Sequence, residues 1–214
     1  MSRSVTAPAS PDDCALPSPG RAATRAKLLA AAAAEVVAGF GRFEMADVAR
    51  RAGLSVGLSY HYFGSKAGML AALVEDFYER YDRIVMQANP LPGGDWGARE
   101  QLRLRAMVAF HYAEPLAPIV LARLSAEPEV AAVEARWLER HIDLAAQNIR
   151  IGQGRGEIPL EFDAELLGAM VLGGLRQAIG QALSRPRRFT GEELAGQLWN
   201  FVAAAVRFRQ PAHD

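Results

Sequence analysis

The segment from Asp47 to Lys66, DVARRAGLSVGLSYHYFGSK, holds the most legible chemistry in the chain. The phenols of Tyr60 and Tyr62 can donate to a phosphate while their rings pack on sugar or on a thymine methyl. Lys66 follows Ser65, a good helix cap. There its ammonium can meet a phosphate beside the free N–H groups of a helix start. Val56, Gly57, Leu58 and Ser59 open a short helix capped by Ser55 and are poor in hydrogen-bonding groups. With no Arg for guanine and no Asn or Gln for adenine, such a helix start reads base edges by apolar contact. Thymine methyls are favoured, and Gly57 permits close backbone approach. His61 either reaches phosphate or is simply exposed. Each residue also has a plainer reading. The tyrosines can be domain core, as Phe63 is expected to be, and Lys66 can be an ordinary solvated lysine. Arg21, Arg25 and Arg42 are candidates for contact with the nucleic-acid backbone. Arg50 and Arg51 are adjacent and cannot both face it. A solvated face explains each arginine equally well.

These residues need elements to hold them. Met45–Ala52 and Val56–Phe63 read as short helices meeting at Ala52-Gly53-Leu54. Glycine permits the positive φ of a tight turn, and Leu54 can plug the core behind it. That is a helix-turn-helix, whose second helix enters a DNA major groove. Before it, Thr24 reads as the N-cap of a helix with Leu28, Leu29, Ala32, Val36 and Val37 on one stripe, stopped by Gly39 and Gly41. After it, Ser65 caps a helix running to about Ala88, with Met69, Leu70, Leu73, Phe77, Tyr81 and Ile84 inward. Asn89–Gly97 reads as a loop. Further helices follow from about Ala98 to Ala113, briefly to Ser125, and from Pro128 to about Ile151. Asp163 caps the next, to about Ser184. Thr190 and Glu193 form a capping box opening the last, to about Phe208. The expected fold is all-α with about nine helices. Its parts are a disordered tail over 1–20, a DNA-binding domain over 21–68, a helical effector-binding and dimerisation domain over 69–209, and a tail over 210–214.

Composition agrees with a helical fold and hides an asymmetry. The 214 residues carry 24 basic and 24 acidic groups, and alanine abounds. The neutrality is an average. Arg21, Arg25, Lys27, Arg42, Arg50, Arg51 and Lys66 outweigh Glu35, Glu44 and Asp47, so a basic head precedes a mildly acidic body. Cys14 is the single cysteine, which excludes an intrachain disulfide and any cysteine-based metal cluster. The N-terminus lacks a signal core. The longest apolar stretches, Leu28–Ala34 and Leu166–Leu175, fall short of the ~20 residues that span a bilayer. A soluble cytoplasmic protein with no membrane partner is expected.

The full string resembles the TetR family of bacterial transcription regulators. The matching residues are Thr24, Leu28, Ala32 and Phe40; Val48-Ala49; Ala52-Gly53-Leu54-Ser55; Gly57, Tyr60, Tyr62, Phe63, Ser65, Lys66; and Leu70. The resemblance is close over residues 22–76. Beyond it only helix order, length and the stretch Gly154-Arg155-Gly156-Glu157-Ile158 agree. The resemblance implies a three-helix DNA-binding domain on a body that pairs two chains through its last two long helices. The body often encloses a small-molecule pocket, and effector binding moves the helix joining the two parts. It also implies DNA contact by Lys66 and Tyr60, and often by Tyr62. Two residues depart from the pattern. Ser59 stands where a larger apolar residue is usual. Glu44 replaces a capping Thr or Ser that often touches phosphate. Either Glu44 points away, or affinity for DNA is modest.

In the body, Met107, Phe110, His111, Trp137, His141 and Asn148 are the candidates for an effector pocket, with Glu114 and Arg123 beside them. Plain core and surface explain each singly. His111 and His141 have no metal-ligand spacing, so no metal or other cofactor is expected. Met170, Leu175, Ile179 and Leu183 oppose Leu198, Phe201 and Val202 by periodicity, and small residues recur every four positions. This suits a four-helix interface between two copies, or a face covered by the chain's other helices. No catalytic residue is assigned, because no nucleophile elbow, phosphate loop, HExxH pair or paired cysteine occurs. The reading is a dimeric repressor released from a double-stranded operator by a small apolar or amphipathic effector. The alternatives are a DNA-binding dimer with no such effector, answering to a protein or activating, and more remotely an all-helical enzyme.

Overall fold

The computed structural model describes residues 19–88, 91–122 and 127–209. Cys14, Arg123 and the expected C-terminal tail lie outside them. Nine α-helices run through the described residues: α1 (Pro19–Ala38), α2 (Met45–Ala52), α3 (Val56–Phe63), α4 (Lys66–Tyr81), α5 (Trp96–Ala113), α6 (Ala117–Ala122), α7 (Pro128–Gly154), α8 (Ala164–Ser184) and α9 (Gly191–Ala205). No strand occurs among them.

Local chemistry sets most boundaries. Gly53 adopts φ 62° and ψ 38°, and its backbone N–H returns to the end of α2, which stops the helix. Ser55, Ser65, Asp95, Asp163 and Thr190 each accept a backbone N–H in the first turn of the helix they cap. At Thr190 the box is complete, because Glu193 also accepts the Thr190 N–H at 2.8 Å.

Three expectations are corrected. Helix α1 opens at Pro19, inside the segment read as a tail. Thr24 lies within that helix, and its hydroxyl donates to the Gly20 carbonyl at 2.8 Å. The loop after Met86 ends earlier, because Asp95 caps α5 and Trp96 is buried in its first turn. Helix α4 gives way to a π-helical turn, Asp82–Met86. That turn holds one more residue than an α turn, so the inward position slips by one. Ile84, inward by α-helical spacing, is exposed, and Val85 is fully buried.

The first three helices pack as a small head, with α1 on α2 and α2 on α3. Helix α4 leaves the head and packs against α7 in the body. The body is built by α7 on α8 and α5 on α9, with α6 on α8. Gly168 lies close against Ala145 and Ala146, and Gly174 receives the Phe201 ring, so small residues set these helix spacings. Helix α8 is long and apolar enough to cross a membrane by composition, yet it packs on α7.

Candidate nucleic-acid interface and body cavity

On α3, Val56, Gly57, Tyr60 and His61 are exposed on one side, while Ser59 and Phe63 are buried. Ser55 caps the helix, accepting the Leu58 N–H at 3.3 Å. Leu58 is half-buried. A Cβ at Gly57 would meet nothing within the chain, so packing does not require glycine there. Tyr62 separates from Tyr60: it is half-buried and lines a crevice between head and body with Arg21, Arg25, Arg80 and Glu114. Arg25 stands over the Phe63 ring, 5.5 Å from its centre. Ser59 Oγ is fully buried and has no partner among the described residues.

Charge on the head is largely paired. Arg50 meets Asp47 at 2.6 Å, and Arg51 meets Glu35 of α1 at 2.7 Å. Both adjacent arginines are thus held by carboxylates of the head. Lys66 meets Glu44 at 2.9 Å and lies 5.1 Å from the centre of the Phe43 ring. Glu44 therefore does not turn away. It sits at the N-cap of α2 without capping it and answers the one cation at the start of α4. Arg42 is exposed and has no ion pair among the described residues.

The body holds a cavity of about 290 Å³ between α4, α5, α6, α7 and α8. Met107, His111 and His141 line it. Phe110 is packed edge-on against Phe77 and Tyr81, behind the wall. Trp137 also stands outside the lining: its indole donates to Glu75 at 3.1 Å and its ring lies 5.6 Å from His141. Asn148 lines a separate small space below, with Trp96 and Arg103. Glu114 is engaged by Arg80.

The strongest polar groups of the cavity escaped the sequence reading. Arg176 donates to Tyr78 Oη at 2.5 Å and to Glu134 at 3.1 Å. Next to them, buried Asp82 accepts from Arg140 at 3.1 Å, and its Oδ1 lies 3.5 Å from His141 Nε2. A lone arginine in the apolar run LLGAMVLGGLRQAIGQ was the available signal for Arg176. Nothing in the chain order points to Glu134 or Tyr78 as its partners. Burial lowers the pKa of both histidines, His141 to about 4, and raises that of Tyr81. At neutral pH the cavity therefore holds two uncharged imidazoles.

Of the residues expected at an interface between copies, Leu175, Ile179, Leu183, Leu198 and Val202 are buried within the chain itself. They are body core, because α8 and α9 turn these sides to α5, α6 and α7. Met170 and Phe201 are exposed, at 57% and 44%, and Leu166 at 62% continues their face.

Residues 28–73 match the family of bacterial regulatory proteins, tetR family. Over those residues the chain is similar to the TetR family. It is 32% identical over 102 residues to the HTH-type transcriptional regulator BetI of Escherichia coli, a match covering 46% of this chain. The chain spans about half (50%) of the length of that curated relative. The fatty acid degradation regulator FadR from Bacillus halodurans has the same fold, with a TM-score of 0.74 at 19% identity over 87% of this chain and 97% of that one. The transcriptional regulator FadR from Bacillus subtilis, solved in complex with stearoyl-CoA, aligns with a TM-score of 0.67 at 16% identity. That alignment covers 85% of this chain and 98% of the other.

Proposed function

We propose that the protein is a dimeric, cytoplasmic DNA-binding repressor that a small apolar or amphipathic effector releases from its operator. One observation carries the reading. Helix α4 holds Lys66 in its first turn and Tyr78 and Tyr81 in the wall of the body cavity. The two tyrosines lie about 18 and about 22 Å from Lys66 along a single helix. A molecule entering the cavity pushes on the same rod that positions Lys66. The stearoyl-CoA held by one structural neighbour supports the small-molecule arm.

In this reading Ser55, Val56, Gly57, Leu58, Tyr60 and His61 face the groove, and Lys66, Arg25 and Arg42 serve the DNA backbone. Tyr62 shares the crevice with Arg25 and transmits body movement to the head. Two copies pair through the exposed face of Leu166, Met170 and Phe201, which presents two heads to half-sites spaced by multiples of ~34 Å. Catalysis is no part of the reading.

Selection of bound fragments from a genomic library tests it. The expected product is a two-fold operator with thymines near the Val56 and Leu58 contacts. Small molecules suggested by the neighbouring genes should then release the protein in a gel-shift assay. Recovery of no specific sequence, or binding unaffected by any compound that occupies the cavity, overturns the corresponding arm.

A further inference from the structure

The cavity contains a polar arrangement that selects among small molecules, and this inference rests on reading the cavity as the effector site. Among the described residues the lining has one cation and one carboxylate, and they are mutually engaged, since Arg176 donates to Glu134 at 3.1 Å and also holds Tyr78. Each charge already answers the other. The two imidazoles differ in what holds them. His111 Nδ1 lies 2.8 Å from the Met107 carbonyl, which must receive a proton, so Nε2 is left with its lone pair. His141 Nε2 faces the Asp82 carboxylate at 3.5 Å. The two atoms make no hydrogen bond at that distance, and the neutral His141 ring keeps one lone pair in either tautomer. Burial keeps both rings neutral. Their centres each lie 5.3 Å from the centre of the Tyr81 ring, so α5 and α7 bring both rings to one end of the cavity. Tyr78 and Tyr81 supply flat walls there.

We propose that this end of the cavity selects an uncharged aromatic molecule carrying a hydrogen-bond donor, of the phenol class, whose O–H is taken by His111 or His141. A carboxylate in the same place meets two lone pairs and Glu134, and must break the Arg176–Glu134 pair to be neutralised. A cation meets Arg176 in the wall. A molecule without a donor leaves both imidazole acceptors dry, which costs affinity.

Three probes of one shape separate these cases: 4-propylphenol, 4-propylanisole and 4-propylbenzoate. Each is titrated at pH 7.5 into the full chain by calorimetry. Fluorescence of Trp137, which packs on Tyr78 and His141, reports occupancy of the cavity, with Trp137→Phe as the control. The phenol should bind about tenfold tighter than either other probe, the worth of one hydrogen bond. His111→Leu and His141→Leu are each checked for folding by thermal melting and by retained anisole binding. At least one of them should lose the preference for phenol over anisole. A phenol advantage below about threefold, or a benzoate that binds tightest, overturns the assignment and leaves the cavity as an effector site. A preference that survives both histidine substitutions overturns it too. Failure of all three probes to bind overturns this assignment and leaves the effector reading to the release assay.

Discussion

Glu44, before α2, and Lys66, at the start of α4, form an exposed ion pair on the head. A lysine at a helix start is suited to phosphate, but here a carboxylate 2.9 Å away competes for it. Both groups are largely solvated, so the pair itself adds little stability. In the proposed function its effect falls on DNA, because Glu44 must be desolvated or displaced as a phosphate approaches Lys66. Glu44→Thr should restore a cap on α2 and tighten operator binding severalfold, measured by fluorescence anisotropy at fixed salt. Unchanged affinity would remove Glu44 from the interface. His141 makes a second residue-scale prediction. Its folded pKa is near 4 because burial outweighs the attraction of Asp82, while Arg140 and Arg176 add to the depression. The unfolded ring takes up a proton near its ordinary value of about 6.5. Between those values the unfolded chain binds more protons than the folded one, so stability falls as pH drops from about 6.5 to about 4. His141→Phe should flatten that part of the curve of denaturation midpoint against pH.

At the scale of elements, the turn between α2 and α3 and the π turn after α4 do opposite jobs. The first is set locally. Gly53 sits at φ 62°, where a Cβ costs on the order of 1 kcal/mol, and the Leu54 N–H closes the turn onto the Ala49 carbonyl at 2.9 Å. Gly53→Ala should lower the unfolding free energy by about that amount. It should also weaken operator binding beyond the loss of folded protein, because the turn aims α3. Urea denaturation and anisotropy on the same preparation separate the two effects. The π turn is set by what surrounds it. Asp82 is buried there against Gln87 of its own turn and against Arg140 and His141, which the fold brings from α7. Helical periodicity carried past Tyr81 assigns Ile84 inward, because the extra residue in that turn leaves no mark on local propensity.

For the whole molecule, the proposed pairing of two copies rests on the apolar face that remains exposed. Once α8 and α9 have buried Leu175, Ile179, Leu183, Leu198 and Val202 inside the chain, Leu166, Met170 and Phe201 are still exposed together. Three such side chains on paired helices match what two copies would cover. Met170→Glu combined with Phe201→Glu should give a monomer in sedimentation equilibrium at micromolar concentration, with its helical circular dichroism retained. Operator affinity should fall by orders of magnitude, since each head then binds alone. A wild-type monomer at that concentration would sink the interface.

Head geometry was legible in the sequence because it depends on contacts a few residues apart. The ends of α2 and α3, the Ser55 and Ser65 caps, the glycine turn and the inward Phe63 all follow from neighbours in the chain. So do the Asp163 cap and the Thr190 box. The division of α8 and α9 into core and exposed sides did not follow, because periodicity finds an apolar stripe without saying which partner covers it. The cavity was legible only in part. Met107, His111 and His141 stood out by residue type, but Tyr78, Glu134 and Arg176 form one cluster across separations of 42 to 98 residues. Likewise, net neutrality hid the basic head, and it also hid that Lys66, Arg50 and Arg51 already have carboxylate partners. Caps, turns and stripes are local free-energy preferences written in adjacent residues. Which charge meets which, and which apolar face stays open, depends on helices from distant parts of the chain packing together, and only the tertiary structure decides that.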